Sequence, residues 1–464
     1  MNLPEIFLNN MKGLLGEQYA DYVAAMDKPP ISGIRLNPLK IIASELGEVK
    51  AVLGLAGNVP FWQNGYFAES AKVGKHPYHI AGLVYVQEPS SMLAVAASGL
   101  ERETNKSELA VLDLCAAPGG KSGQIAELLA GEGVLVSNEI EFKRAKVLAG
   151  NIERMGYKNV IVTNSSPDNL AQYLPNTFDY IFVDAPCGGE GMFRKNPETI
   201  SQWSNARIES NAQRQLEILS QADVMLKPGG KLIYSTCTFS KTEDEDVVKA
   251  FAKEHDYRQI LPSDDILSNT NCLDNQCCRR IYPQGGIGEG QFVCAMQKSA
   301  KSADFEAQTR KFNPKKDVFA AFRKDVALAE QFICDNFNLN YAYNWCNVNG
   351  NLFILNNKLQ KMLQILQKIT ILAAGVAVGS VENGRFVPHN NIFLAFGDKC
   401  KYKVNFALDD PKLAAYLHGE QLDKIGNVPM GATYGAVCVS GHSVGGVRIS
   451  GNVLKNILPK GLRV

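Results

Sequence analysis

The sequence predicts a doubly wound α/β fold, a mostly parallel sheet between layers of helices, preceded by a helical module and followed by a smaller β-rich one. Three observations carry this. An apolar strand breaks into a glycine turn and then a helix between residues 110 and 130. Strand and helix patterns alternate from there to residue 300, and the end of the chain turns on Gly431, Gly435, Gly441, Gly445, Gly446 and Gly451. A chain of 464 residues is too long for one core. Its 45% hydrophobic and 20% charged content is that of a soluble globular protein, and no apolar run approaches the ~20 residues of a membrane span. Residues 1–16 lack the features of an export signal, so a cytoplasmic protein is expected.

Residues 1–95 read as a mostly helical module broken at Pro29-Pro30 and Pro60. It contains Arg35-Leu36-Asn37-Pro38 and Gln87-Glu88-Pro89-Ser90-Ser91, neither of which names a reaction. A polar stretch, 101–108, separates it from a second module over 96–300. There Ala110, Val111, Leu112 and Leu114 form a run suited to a strand buried on both faces. A helix over 121–130 follows, then a strand over 134–137, a helix over 141–155, and strands over 160–163 and 179–184. A helix over 208–226 leads through Lys227-Pro228-Gly229-Gly230 to a strand over 231–235. Thr242 and Glu245 form a capping box for a helix over 243–252. Candidate strands at 279–282 and 292–296 close the sheet as an antiparallel hairpin, a pattern commoner in methyltransferases than in dehydrogenases. Residues 302–316 read as a linker within a stretch, 301–395, that forms an intermediate α+β module. A β-rich binding module over 396–464 completes the chain.

The first strand ends in Cys115-Ala116-Ala117-Pro118-Gly119-Gly120-Lys121, and the next helix points its free N–H groups at this turn. The spacing is neither the dinucleotide fingerprint nor the phosphate loop, which disfavours a nucleotide pyrophosphate. Glu139, at the end of the second strand, can accept both hydroxyls of a ribose. These features alone leave methyltransferase and dehydrogenase open, and Glu139 could be a solvated loop acid.

Two cysteines fall where such sheets bind ligands, beyond the carboxyl ends of strands. One lies in Asp184-Ala185-Pro186-Cys187-Gly188-Gly189, the other in Ser235-Thr236-Cys237-Thr238. Either alone would read as a small core residue. A pair after successive strands suits one task, since C5 of cytosine becomes nucleophilic only after a thiolate adds at C6. A second polar group then helps the release step, and Asp184 would hydrogen-bond the Watson–Crick edge of a base turned into the pocket.

These motifs resemble the Nol/Nop/Sun family of S-adenosylmethionine-dependent RNA cytosine-5 methyltransferases, in its bacterial small-subunit methyltransferase F branch. The likeness covers nearly the whole chain. It includes residues 115–121, the Asp184–Cys187 motif, Thr236-Cys237-Thr238 with Glu243-Asp244-Glu245, and both N-terminal motifs. Tyr416-Leu417-His418-Gly419-Glu420 and residues 454–463 are similar to the PUA-like RNA-binding domain of that branch. The resemblance implies a class I, Rossmann-like methyltransferase sheet and S-adenosylmethionine as cofactor. It implies Cys237 as nucleophile, Cys187 in product release, and cofactor contacts from Cys115 to Lys121, Glu139 and Asp184. The acid that the family often carries after its third strand is missing from Thr163-Asn164-Ser165-Ser166, so adenine recognition is expected from Ser166 or backbone groups. Gly441-His442-Ser443-Val444-Gly445-Gly446 also departs from the aromatic-rich turn usual in the last domain.

Eleven cysteines without a disulfide framework fit a reducing compartment, and the only cluster, Cys272, Cys277 and Cys278, lacks zinc-knuckle spacing, so no metal is expected. Residues 301–464 carry 20 Lys+Arg against 12 Asp+Glu, a net of +8, while residues 1–300 come to −7. That asymmetry points to a polyanionic partner, RNA, with 16S ribosomal RNA or the small ribosomal subunit implied by the branch. A monomer without membrane attachment is expected. Competing readings are a tRNA cytosine-5 methyltransferase and a catalytically silent RNA-binding assembly factor, the latter disfavoured by the intact cysteine pair.

Overall fold

The computed structural model describes residues 1–69, 73–272, 277–300, 318–339, 343–423 and 425–464; the expected linker, 302–316, lies outside them. Ala110–Asp113 is buried at all four positions and pairs in parallel with Val134–Asn138 on one side and Phe178–Asp184 on the other. Val160–Asn164 extends the first side and Leu226–Thr236 the second, both in parallel. The chain thus builds outward in one direction, returns to the centre and builds in the other. The crevice between Ala110–Asp113 and Phe178–Asp184 is the switch point where such sheets bind ligands.

The expected antiparallel hairpin is present as Cys278–Ile281 and Gln291–Lys298, the second strand pairing with Leu226–Thr236. On the far edge Thr370–Ala374 pairs antiparallel with Val160–Asn164. This strand comes from the stretch read as an intermediate module, and Ile371, Ala373 and Ala374 share the core of the central sheet with Phe353 and Leu363. Periodicity shows that a segment is a strand, not which edge it joins. Helix Glu245–Glu254 starts two residues later than the capping box predicts and has no side-chain cap, because its N-cap Asp244 accepts from Thr236 and Arg280 instead and Glu245 also accepts from Arg280, at 2.9 Å.

The opening module holds the expected helices and, in addition, a sheet. Helices Glu5–Leu15 and Tyr19–Met26 precede a four-stranded antiparallel sheet in the order Leu55–Asn58, Gly65–Ala68, Gly33–Leu36, Val84–Val86. Strands this short barely establish an alternating pattern, which is why sequence periodicity passes over them. The sheet is fastened to the central domain by the two motifs that named no reaction. Arg35, fully buried, donates to Gln87 at 2.9 Å and to the Gly120 carbonyl at 3.3 Å, and pairs with Glu127. Asn37 donates to the carbonyls of Gly82 and Met155, and Glu88 accepts the Ser90, Ser91 and Glu289 N–H groups.

The last five-stranded sheet comprises Lys403–Phe406, Leu422–Asp423, Tyr434–Val439, His442–Ser450 and Val453–Asn456. It does not stand apart. Tyr402, Val404, Phe406 and Val437 share one apolar cluster with Ile34, Leu36, Tyr66 and Val84 of the opening sheet. Each such side chain contributes about 1.5–3 kcal/mol on burial, so the two ends of the chain stabilise each other. His442, in the turn that departs from the family pattern, lies 3.3 Å from Glu45 at this junction.

Candidate active site

Every residue singled out for chemistry lies at the carboxyl end of a central strand. After Ala110–Asp113 the chain turns through Cys115 to Gly119, with a cis peptide bond before Pro118 and Gly119 at φ +112°, where a Cβ is strained. Helix Gly120–Leu129 then begins with its N–H groups facing the switch point. Asp113, fully buried, accepts the Ser122 hydroxyl at 2.6 Å on Oδ2, while Oδ1 has no partner; burial pushes its carboxyl up to about 7. Burial likewise pushes the Cys115 thiol up.

Glu139 is buried at the next strand end. Its Oε1 accepts the Glu141 N–H at 3.0 Å, and its Oε2 lies 3.4 Å from Arg144, which also donates to the Ala117 carbonyl at 2.8 Å. The bland reading of a solvated acid is thereby removed. Ser166 precedes helix Pro167–Tyr173 and is half-buried; its hydrogen bond to Asp168 holds that carboxyl below its ordinary range.

Asp184 ends Phe178–Asp184 and is gripped from three elements. Its Oδ2 lies 2.7 Å from Lys121 Nζ, and its Oδ1 accepts Ser235 Oγ at 2.7 Å and Gln291 Nε2 at 3.2 Å. Burial alone would lower the Lys121 ammonium, but the charges of Asp184, Asp113 and Cys237 outweigh it and hold the ammonium above its ordinary range. Lys121 therefore turns from the glycine turn toward Asp184.

The two thiols meet at 3.4 Å between sulfurs, both half-buried and so reachable from outside. Their loops interlock, with the Gly191 N–H donating to the Cys237 carbonyl at 2.8 Å. A Cβ on Gly191 would lie 2.9 Å from that carbonyl and from that of Gly290, so only glycine allows this approach. The Cys187 thiol is pushed well up by its hydrogen bond to Cys237, by burial, and by the nearby charges of Cys237, Glu243 and Glu190. Glu243 and Glu190 make its environment acidic.

Sequence reasoning quoted Ser235 and Glu243 within motifs but gave them no role, and it did not single out Gln291, Gln215 or Arg144. A signal existed for Gln215, which sits on the helical stripe of Ile208, Leu219 and Ala222, where a polar residue is out of place. Cys278 of the cysteine cluster faces Cys294 across the antiparallel hairpin. Among the described residues no group of three or more His, Cys, Asp or Glu side chains could hold a metal, and no helix is long and apolar enough to cross a membrane.

Comparison with known proteins agrees with this arrangement along the chain. Residues 100–297 match the family of 16S rRNA methyltransferase RsmB/F, residues 3–89 the N-terminal domain of 16S rRNA methyltransferase RsmF, and residues 403–464 the PUA domain of methyltransferase RsmF. The chain is 29% identical over 460 residues to ribosomal RNA small subunit methyltransferase F of Shewanella loihica, covering 95% of this chain and 91% of that protein. With the Vibrio vulnificus (strain YJ016) protein of the same name it is 34% identical over 350 residues, 73% and 72% of the two chains. Among solved structures, a methyltransferase homologue from Pyrococcus horikoshii superposes with a TM-score of 0.55 at 28% identity, covering 64% of this chain and 95% of that one.

Proposed function

The chain belongs to the 16S rRNA methyltransferase RsmF family, and from that premise we propose that it transfers a methyl group from S-adenosylmethionine to C5 of a cytosine in small-subunit ribosomal RNA. The observation that carries the cytosine-5 chemistry is the pair of thiols 3.4 Å apart beside the Lys121–Asp184 contact. Methylation of an exocyclic nitrogen needs no nucleophile and gives no reason for either thiol.

The residues present fit the cofactor. The orphaned Asp113 Oδ1 is an acceptor for an ammonium group, the start of helix Gly120–Leu129 offers free N–H groups to a carboxylate, and Glu139 is placed for ribose hydroxyls. Cys115, Ala116, Ala117, Pro118, Gly119 and Gly120 would cradle it, with Ser166 and Asp184 at its edges. When bound, S-adenosylmethionine supplies an electrophilic sulfonium methyl group.

The chain's own part follows from the asymmetry of the two thiols. The hydrogen bond to Cys237, burial and the charges of Glu243 and Glu190 push the Cys187 thiol toward its neutral S–H form, which makes it the donor to Cys237. Cys237 adds to C6 of the cytosine, and the electron pair moved to C5 makes that carbon nucleophilic. Asp184, steadied by Lys121, Ser235 and Gln291, accepts from the Watson–Crick edge of the base. After methylation the C5 proton passes to water, the C5–H pair forms C5=C6, and the C6–S bond cleaves with its pair returning to the Cys237 sulfur. Cys187 eases that departure by hydrogen-bonding the leaving Cys237 thiolate.

The opening module (1–95) and the PUA-like module (396–464) hold the RNA around the catalytic domain, 96–300, and the protein acts in the cytoplasm as a monomer. Methyl transfer from labelled S-adenosylmethionine to small-subunit RNA tests this reading. Cys237→Ala should transfer nothing and form no covalent complex, whereas Cys187→Ala should methylate RNA that then stays bonded to Cys237 on a denaturing gel. Full turnover in both variants would remove the cytosine-5 mechanism.

A further inference from the structure

We propose that Gln215 and Glu243 are positioning residues for product release, holding Cys187 as the S–H donor to Cys237; this rests on the cysteine roles proposed above. Cys187 lies in a loop with no regular structure, so its sulfur stays at hydrogen-bonding distance only if the peptides on either side of it are fixed. Both are. The Gly188 N–H, on the C-terminal side, donates to both carboxylate oxygens of Glu243 at 3.1 and 3.0 Å. The Pro186 carbonyl, on the N-terminal side, accepts Gln215 Nε2 at 2.9 Å, and the same amide donates to Glu243 Oε2 at 2.9 Å. Two side chains thus close a circuit around Cys187.

Each end of the circuit is itself anchored. Gln215 is fully buried in helix Asn205–Met225, and the Glu243 carbonyl accepts the Tyr234 hydroxyl at 2.5 Å. Glu243 lies six residues after Cys237, so it ties the loop of the nucleophile to the loop of its partner. A Cβ on Gly188 would stand 2.9 Å from oxygens of both Glu243 and Glu190, which explains a glycine there. Burial and the neighbouring Glu190 push the Glu243 carboxyl up to about 7. A group kept at that cost, beside a thiol it presses toward the neutral form, does more than fill space.

The consequence is specific to one step. Addition and methyl transfer use Cys237, Asp184 and the cofactor, whereas the side chains of this circuit bond the peptides flanking Cys187 and each other. Full-length Glu243→Ala should therefore carry out its first methyl transfer within about threefold of the unaltered protein. Its multiple turnover should fall about ten- to hundredfold, with methylated RNA accumulating in a denaturant-resistant complex, as in Cys187→Ala. Glu243→Gln keeps an acceptor for the Gly188 N–H and should recover most of the turnover. Gln215→Met conserves volume, removes only the hydrogen bond to Pro186 and the support of Glu243, and should show the same trapped complex to a lesser degree; it gives the answer if Glu243→Ala does not fold. Equal slowing of first and later turnovers without a trapped complex overturns the proposal, as does unchanged turnover. If Cys187→Ala traps RNA and neither other variant does, the inference fails alone; if the unaltered protein methylates no cytosine, the proposed function fails first.

Discussion

Lys121 Nζ lies 2.7 Å from Asp184 Oδ2, a contact that joins the glycine turn after the first central strand to the end of strand Phe178–Asp184, the proposed base-recognition point. The Lys121 side chain is 10% exposed and that of Asp184 33%, so the pair is only partly screened by water. Lys121→Met should leave Asp184 without its cation and lower kcat/KM for RNA methylation about ten- to hundredfold, the loss of ~1.5–3 kcal/mol of charged hydrogen bonding. Steady-state kinetics that show no change would detach this pair from the reaction.

Glu139 is braced by the Glu141 N–H and Arg144, and keeps lone pairs for a ligand. Glu139→Ala should raise the dissociation constant for S-adenosylmethionine about tenfold or more, from ~1.5–3 kcal/mol of lost charged hydrogen bonds. Calorimetry with unchanged affinity would show that ribose recognition lies elsewhere.

The central strands and the residues that stand at their ends were legible because both are local. Ala110–Asp113 is apolar at three of four positions and buried at all of them, and Cys187 and Cys237 each follow a recognisable strand. What was not legible depends on contacts between distant residues. Arg35 and Gln87 are polar residues in a core position, and only their partners Glu127 and Gln124 in the first central helix explain them. Strand Thr370–Ala374 joins an edge that its own residues do not name. The same pairing means that removing residues 317–464 strips the catalytic sheet of an edge as well as the chain of positive charge. RNA binding is therefore better probed by single residues than by truncation.

Asp113 offers a test by pH. Its carboxyl is held at about 7 against an ordinary 3.8, so the proton it keeps contributes stability that is complete below about pH 4 and lost as pH rises through about 7. Asp113→Asn carries no charge in either state. Its Tm relative to the unaltered protein should climb across that window and level off above it. Its affinity for S-adenosylmethionine should fall, because the ammonium loses an anionic partner. Parallel pH profiles of Tm would show that Asp113 does not titrate in this range.

Arg448 and Lys455 stand directly opposite each other on the antiparallel strands His442–Ser450 and Val453–Asn456, and both are exposed. Like charges at paired positions of a sheet repel, so the arrangement costs stability unless a polyanion offsets it. The surrounding stretch, 301–464, carries a net charge of +8. Replacing both residues with Gln should weaken RNA binding and reduce the slope of log K against log salt by about two, near one for each phosphate no longer neutralised. Affinity for S-adenosylmethionine should not change, since the pair belongs to a different sheet from the cofactor turn. Thermal stability without RNA should hold or rise slightly as the repulsion is relieved. Fluorescence titrations across a salt series measure the slope, and an unaltered slope with unaltered affinity would exclude this face of the C-terminal sheet from the RNA interface.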